Sequence, residues 1–128
     1  MKTSQIKVGF GYRLAGSGLM KKAVISTLLS LPDEIVEKVI RKCWFVGSYD
    51  DSWAFVIKGR EVKNSEYVIF LSDQLLKEDK YQIYHTIAHE IGHVLLGHRN
   101  SIGKVQSKVE IRRQENEAED FADRYLPT

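Results

Sequence analysis

The apolar residues of this chain change period twice, and that change restricts the fold to a mixture of helix and sheet. Ile35, Val36, Val39 and Ile40 recur at the spacing of one helix face. Pro32 stands in the first turn before Asp33 and Glu34, and Lys38, Arg41 and Lys42 fall near the end, so both ends suit the helix dipole. Residues 19–29 read as a shorter helix before it. The period then falls: residues 44–46, 53–57 and 67–71 are short, aromatic and β-branched, separated by turn-rich stretches at 47–52 and 58–66 that hold Gly59 and Asn64. They predict three strands in an antiparallel meander, with Trp44, Phe45, Trp53 and Phe55 in the core.

Helical spacing returns at Asp79, a capping residue with Gln82 as its box partner. Tyr84, Ile87, Ala88, Ile91 and Leu95 form one apolar stripe, and Gly97 can end this helix. After a polar loop at 99–106, Ser107 and Glu110 form a second capping box. The last helix carries Ala118, Phe121, Ala122 and Tyr125 on one face, and Pro127 stops it. Helix, three strands, helix, helix is the order of an α+β domain.

A chain of 128 residues is the size of one domain, and 43% hydrophobic content is enough for a core without disulfides or a structural metal. Any metal present is therefore expected to be functional. Residues 9–18 hold four glycines but lack the Gly-Lys-Ser/Thr ending of a phosphate loop, so 1–18 are expected to be flexible or irregular. A net charge of +2, from 19 basic and 17 acidic side chains, gives no argument for nucleic acid or an anionic membrane. Cys43 is the single cysteine, which fits a reducing compartment. The start has no continuous apolar core of signal-peptide type, and no run is long enough to span a bilayer. A cytoplasmic protein is expected.

The chemistry is concentrated in His89-Glu90-Ile91-Gly92-His93, an HExxH motif inside the second capped helix. Residues four apart lie on one helix face, about 5–6 Å between Cβ atoms. Two imidazoles at that spacing can converge on one tetrahedral zinc ion. Glu90 is rotated off the line of the histidines, where it can act as general base on water. With four histidines and ten glutamates in the chain, such a motif arises by chance in about one sequence in a hundred. Its place on an amphipathic, capped helix is the context the motif requires.

A catalytic zinc needs a third protein ligand and one open position. Acids of the last helix, in the run from 115 to 120, are the candidates: Glu117 first and Glu119 second, both flanking the apolar stripe. Glu115 reads more simply as a solvated charge. Asp123, one turn after Glu119, could orient a metal-ligating histidine. His98 lines the cleft or neutralises the helix end. It does not fit the metzincin spacing, whose glycine and third histidine would fall on Leu96 and Arg99. His85 cannot join His89 and His93 on one ion in a straight helix and reads as a capped or half-buried histidine. Tyr84 and Tyr125 could donate to an oxyanion, although packing explains each more simply. One strand at the sheet edge could pair with an extended peptide beside the metal.

Residues 86–98, Thr-Ile-Ala-His-Glu-Ile-Gly-His-Val-Leu-Leu-Gly-His, resemble the active-site helix of the ImmA/IrrE metallopeptidases. Residues 117–122, Glu-Ala-Glu-Asp-Phe-Ala, are similar to that family's second motif, Glu-Ala-Asn-x-Phe-Ala. The resemblance covers roughly 67–127. It implies a minimal zincin-like domain with one zinc on His89, His93 and, by matched position, Glu117. It implies an endopeptidase acting on a protein partner supplied in trans: a DNA-binding repressor or antitoxin-like regulator, often of phages or mobile elements. Glu119 stands where the family has Asn or Asp, Asp123 replaces a small residue, and the ending at 125–127 is one residue short. These departures leave Glu117 and Glu119 both open. The other class of function is a zinc-binding regulator that acts by association without turnover; the presence of Glu90 favours the enzyme.

Overall fold

The computed structural model describes residues 1–48, 54–58, 66–98 and 107–126, with the backbone alone at 55–58. The polar loop read at 99–106, the turns within 49–52 and 59–65, Trp53, the Phe55 side chain and Pro127 lie outside the described residues. Five helices and four strands follow in the order α1 (Thr3–Phe10), β1 (Leu14–Ala15), α2 (Gly18–Leu29), α3 (Asp33–Lys42), β2 (Cys43–Ser48), β3 (Ala54–Lys58), β4 (Tyr67–Ser72), α4 (Lys80–Leu95) and α5 (Lys108–Tyr125).

β4 is the centre of the sheet. Tyr67, Ile69, Leu71 and Ser72 are buried, and Val68 and Phe70 are half-buried, so neither face of this strand meets open solvent. A near-continuous apolar run of this kind suits a strand covered on both sides. The order across the sheet is β1-β2-β4-β3. β2 runs parallel to β4, with Cys43 opposite Tyr67 and Ser48 opposite Ser72. β3 runs antiparallel to β4, with Ala54 opposite Leu71 and Lys58 opposite Tyr67. The two-residue β1 adds a short parallel pairing to β2.

The expected three-stranded antiparallel meander is therefore wrong. The sheet has four strands and is mixed, and β2 and β3, neighbours in sequence, do not pair. The physical reason lies in burial. β2 and β4 pair with each other at the centre, where Phe45, Ile69 and Leu71 lose nearly all contact with water. β3 is left on the outside.

The helices form as their ends predict. Asp79 accepts from the Gln82 backbone N–H at 2.9 Å, and Ser107 accepts from that of Glu110 at 3.1 Å. The Gln82 side chain does not close the first box; it donates to Thr86 Oγ1 at 3.0 Å instead. Gly97, at φ 68°, turns the chain out of α4, and His98 N–H donates to the His93 carbonyl at 2.9 Å.

The first eighteen residues, expected to be irregular, hold α1 and β1. Ile6 and Phe10 anchor that helix in the core, and the Phe10 ring meets Phe45 edge-on with centroids 5.6 Å apart. Two buried side chains in eight residues are too few to show as a period. The helices expected at 19–29 and after Pro32 are α2 and α3; α1 precedes them as a further helix.

α4 lies along the core, burying Ile83, Ile87, Ala88, Ile91 and Val94. α5 packs on its other side through Ala118 and Ala122. Gly92 decides how near the two helices come. A β-carbon there would lie 3.1 Å from Phe121 Cδ1 and 3.2 Å from Phe121 Cβ, tighter than ordinary packing. Small residues on both helices thus bring short acidic side chains of α5 within reach of α4. No helix among the described residues is long and apolar enough to cross a membrane.

Candidate metal centre

α4 presents His85, His89 and His93 at four-residue steps, and α5 presents Glu115, Glu119 and Asp123 at the same step. The two columns meet in opposite sense. His93 Nε2 lies 3.0 Å from Glu115 Oε1, and His89 Nε2 lies 2.9 Å from Glu115 Oε2. One carboxylate thus faces the Nε2 atoms of both motif histidines. A donor atom from each of His89, His93 and Glu115 lies within 4.8 Å of the other two.

The other ring nitrogens are occupied as well. His89 Nδ1 is 2.9 Å from Glu119 Oε1. A carboxylate only accepts, so with a cation held between His89 Nε2 and Glu115, His89 would donate through Nδ1 to Glu119 and offer its Nε2 lone pair to the cation. His93 Nδ1 is 2.9 Å from His98 Nδ1, and His98 Nε2 is 3.2 Å from Glu117 Oε1. With a cation on His93 Nε2, one arrangement of protons satisfies these contacts. His93 donates through Nδ1, His98 accepts, and His98 donates through Nε2 to Glu117. Arg113 donates to the same Glu117 oxygen at 3.0 Å and closes the chain. Both motif histidines therefore have one nitrogen fixed by a neighbour and the other turned to the centre, the arrangement metal-ligating imidazoles adopt. Two imidazoles and a carboxylate also make a donor set suited to zinc.

Glu90 is only 9% exposed and has no hydrogen-bond partner among the described residues. Burial pushes its carboxyl from an ordinary 4.5 up to about 7; Glu115 adds to the rise and His89 opposes it. Burial also lowers the His93 pKa, which favours the neutral, metal-binding imidazole. Ala54, Gln82, His85, Thr86, His89, Glu90 and Glu119 line an open cleft of about 270 Å³.

Of the residues predicted from sequence, His89, Glu90 and His93 come together as expected. The carboxylate that faces both histidine Nε2 atoms is that of Glu115, not of Glu117 or Glu119. At about 100° per residue, Glu115 and Glu119 project from one flank of the buried stripe of α5 and Glu117 from the other. Glu117 instead ends the His98 chain, and Glu119 supports His89. Asp123 supports His85, not a motif histidine, with Oδ1 2.8 Å from His85 Nε2. His98 is buried behind His93 and is not on the cleft wall. Tyr84 is half-buried against the core and is not among the cleft residues. Tyr125 stacks on Phe121.

Glu115, expected as a solvated charge, instead faces both motif histidines. Its signal was the spacing it shares with Glu119 and Asp123, which matches the histidine spacing of α4. No protein family, curated protein or solved structure matches this chain.

Proposed function

We propose that this chain is a zinc-dependent endopeptidase acting on a protein partner. The observation that carries the reading is the pair of Nε2 atoms, from His89 and His93, on the one carboxylate of Glu115, with Glu90 buried beside them. His89, His93 and Glu115 would hold the metal. When bound, zinc supplies Lewis-acid activation of a peptide carbonyl and of water.

The chain's own residues do the rest. Glu119 and His98 hold the two imidazoles in the required tautomers. Glu90 takes a proton from the attacking water on its carboxylate and passes it to the amide nitrogen as the C–N bond breaks. Water's oxygen ends in the new carboxyl group, and the leaving amine gains the proton. Burial raises this carboxyl to about 7 in the metal-free chain; a bound cation would lower it and favour the carboxylate that accepts the proton. β3 is an edge strand, and its Ala54 lines the same cleft as His89 and Glu90. An extended peptide can add to that edge by backbone hydrogen bonds and lie across the centre.

The resemblance of residues 86–98 and 117–122 to the ImmA/IrrE metallopeptidases supports a DNA-binding repressor or similar regulator as the substrate. The test is metal content by plasma mass spectrometry, on protein purified without chelator or nickel resin. One zinc per chain is expected to survive dialysis, to be lost in His93→Ala and Glu115→Ala, and to be kept in Tyr84→Phe. A folded wild type that retains no zinc after reloading would end the peptidase reading.

A further inference from the structure

The column of α5 acids is longer than one metal centre needs. Among the described residues, no lysine or arginine forms an ion pair with Glu115, Glu119 or Asp123; the only partners are imidazoles. Like charges one helical turn apart destabilise each other. A cation on His89, His93 and Glu115 would balance one end of the column and leave Glu119 and Asp123 facing His85.

That remaining group repeats the first in inverse composition. His85 Nε2 lies 2.8 Å from Asp123 Oδ1, and His85 Nδ1 lies 3.7 Å from Glu119 Oε1. One donor atom from each of the three falls within 4.8 Å of the others. The imidazole is held firmly, with its side chain 11% exposed, while the two carboxylates are half exposed. His85 and Glu119 also face the open cleft, which gives an ion a route in.

We propose that His85, Glu119 and Asp123 form a second divalent-cation site, one turn along the same helix pair. One imidazole and two carboxylates suit zinc or manganese. The second site binds more weakly than the first, because Glu119 is shared with His89 Nδ1 and both carboxylates must become ordered. This inference needs only the geometry of the three residues and stands apart from peptidase activity.

The experiment is a calorimetric titration of the untagged, chelator-stripped chain with zinc chloride at pH 7. Wild type is expected to take two equivalents, the second at least tenfold weaker. Asp123→Asn and His85→Asn should each abolish the weaker step and keep the tight one, and His93→Ala should do the reverse. Asp123 is exposed, so its variant is expected to fold, and a matching circular dichroism melt verifies this. A single equivalent in wild type, lost in His93→Ala, would overturn the second site and leave the first intact. Two equivalents that persist in both Asp123→Asn and His85→Asn would also overturn it. A single equivalent lost in Asp123→Asn but not in His93→Ala would support this site and remove the first.

Discussion

Glu90 should destabilise the metal-free protein, and replacing it should show by how much. Burial holds its carboxyl at about 7 against an ordinary 4.5. The folded state therefore binds a proton at this position that the unfolded chain releases. The contribution is fully present below about pH 4.5 and disappears as the pH rises through about 7. Carrying the pKa across that interval corresponds to about 3 kcal/mol at the upper limit. Glu90→Gln keeps the shape and removes the charge. In EDTA at pH 8 it should raise the midpoint of thermal unfolding, on the order of 10 °C for a domain of this size. At pH 5 the wild-type carboxyl is largely protonated and most of the gain should vanish. Calorimetry or circular dichroism at the two pH values measures the difference. Equal midpoints at pH 8, or a gain that is the same at both, would refute the claim that a desolvated carboxylate is held there. In the presence of partner protein, the same variant should lose cleavage while retaining zinc; retained cleavage would remove Glu90 from the role of base.

Gly92→Ala should push Phe121, and α5 with it, away from α4. We expect a loss of about 1–3 kcal/mol from overpacking, partly offset by alanine's better helix propensity. Zinc affinity, read by competition with a chromophoric chelator, should fall at least tenfold; an unchanged affinity would show that close approach is not needed. His98→Ala should weaken zinc binding by about ten- to a hundredfold, by releasing His93 Nδ1, and Glu117→Ala should act through the same chain but more weakly. A fall in Glu117→Ala as large as in Glu115→Ala would contradict the placement of Glu117 behind His98. Burial pushes the Cys43 thiol up to about 12. Its raised pKa means stability is lost only as the pH climbs from about 9 towards 12. Cys43 should not react with Ellman's reagent at pH 8 until denaturant is added, and prompt labelling of the native protein would contradict its burial.

Much of this arrangement could be read before any coordinates, and the divide follows the range of the forces involved. The caps at Asp79 and Ser107 and the stripe through Ile87 and Ile91 are local, set by neighbours within a few residues. The HExxH pair is local too, since one helix carries both histidines. Strand composition at 67–71 was equally plain. Which strand lies beside which depends on pairing segments far apart in sequence, and the hairpin assumption failed there. Which acid faces the two histidines was hidden for a related reason. Glu115, Glu117 and Glu119 have similar local surroundings, and only the phase of α5 against α4 separates them. Phe10 shows the same limit: nothing near it in sequence announces that its partner is Phe45.

The facing columns of histidine and acid make the site sensitive to insertions and deletions in a particular way. One residue added inside α5, between Glu115 and Ala118, would turn one side of the helix by about 100° and shift it about 1.5 Å along the axis. Glu115 or the small residues that seat the helix would then point elsewhere, whatever side chains they carried. A lineage can exchange residues on the exposed side of α5 freely. It can alter the length of that helix only at its ends. Drift in the length of this protein should therefore accumulate outside the two helices, and a descendant with a single-residue indel inside either should have lost the facing columns.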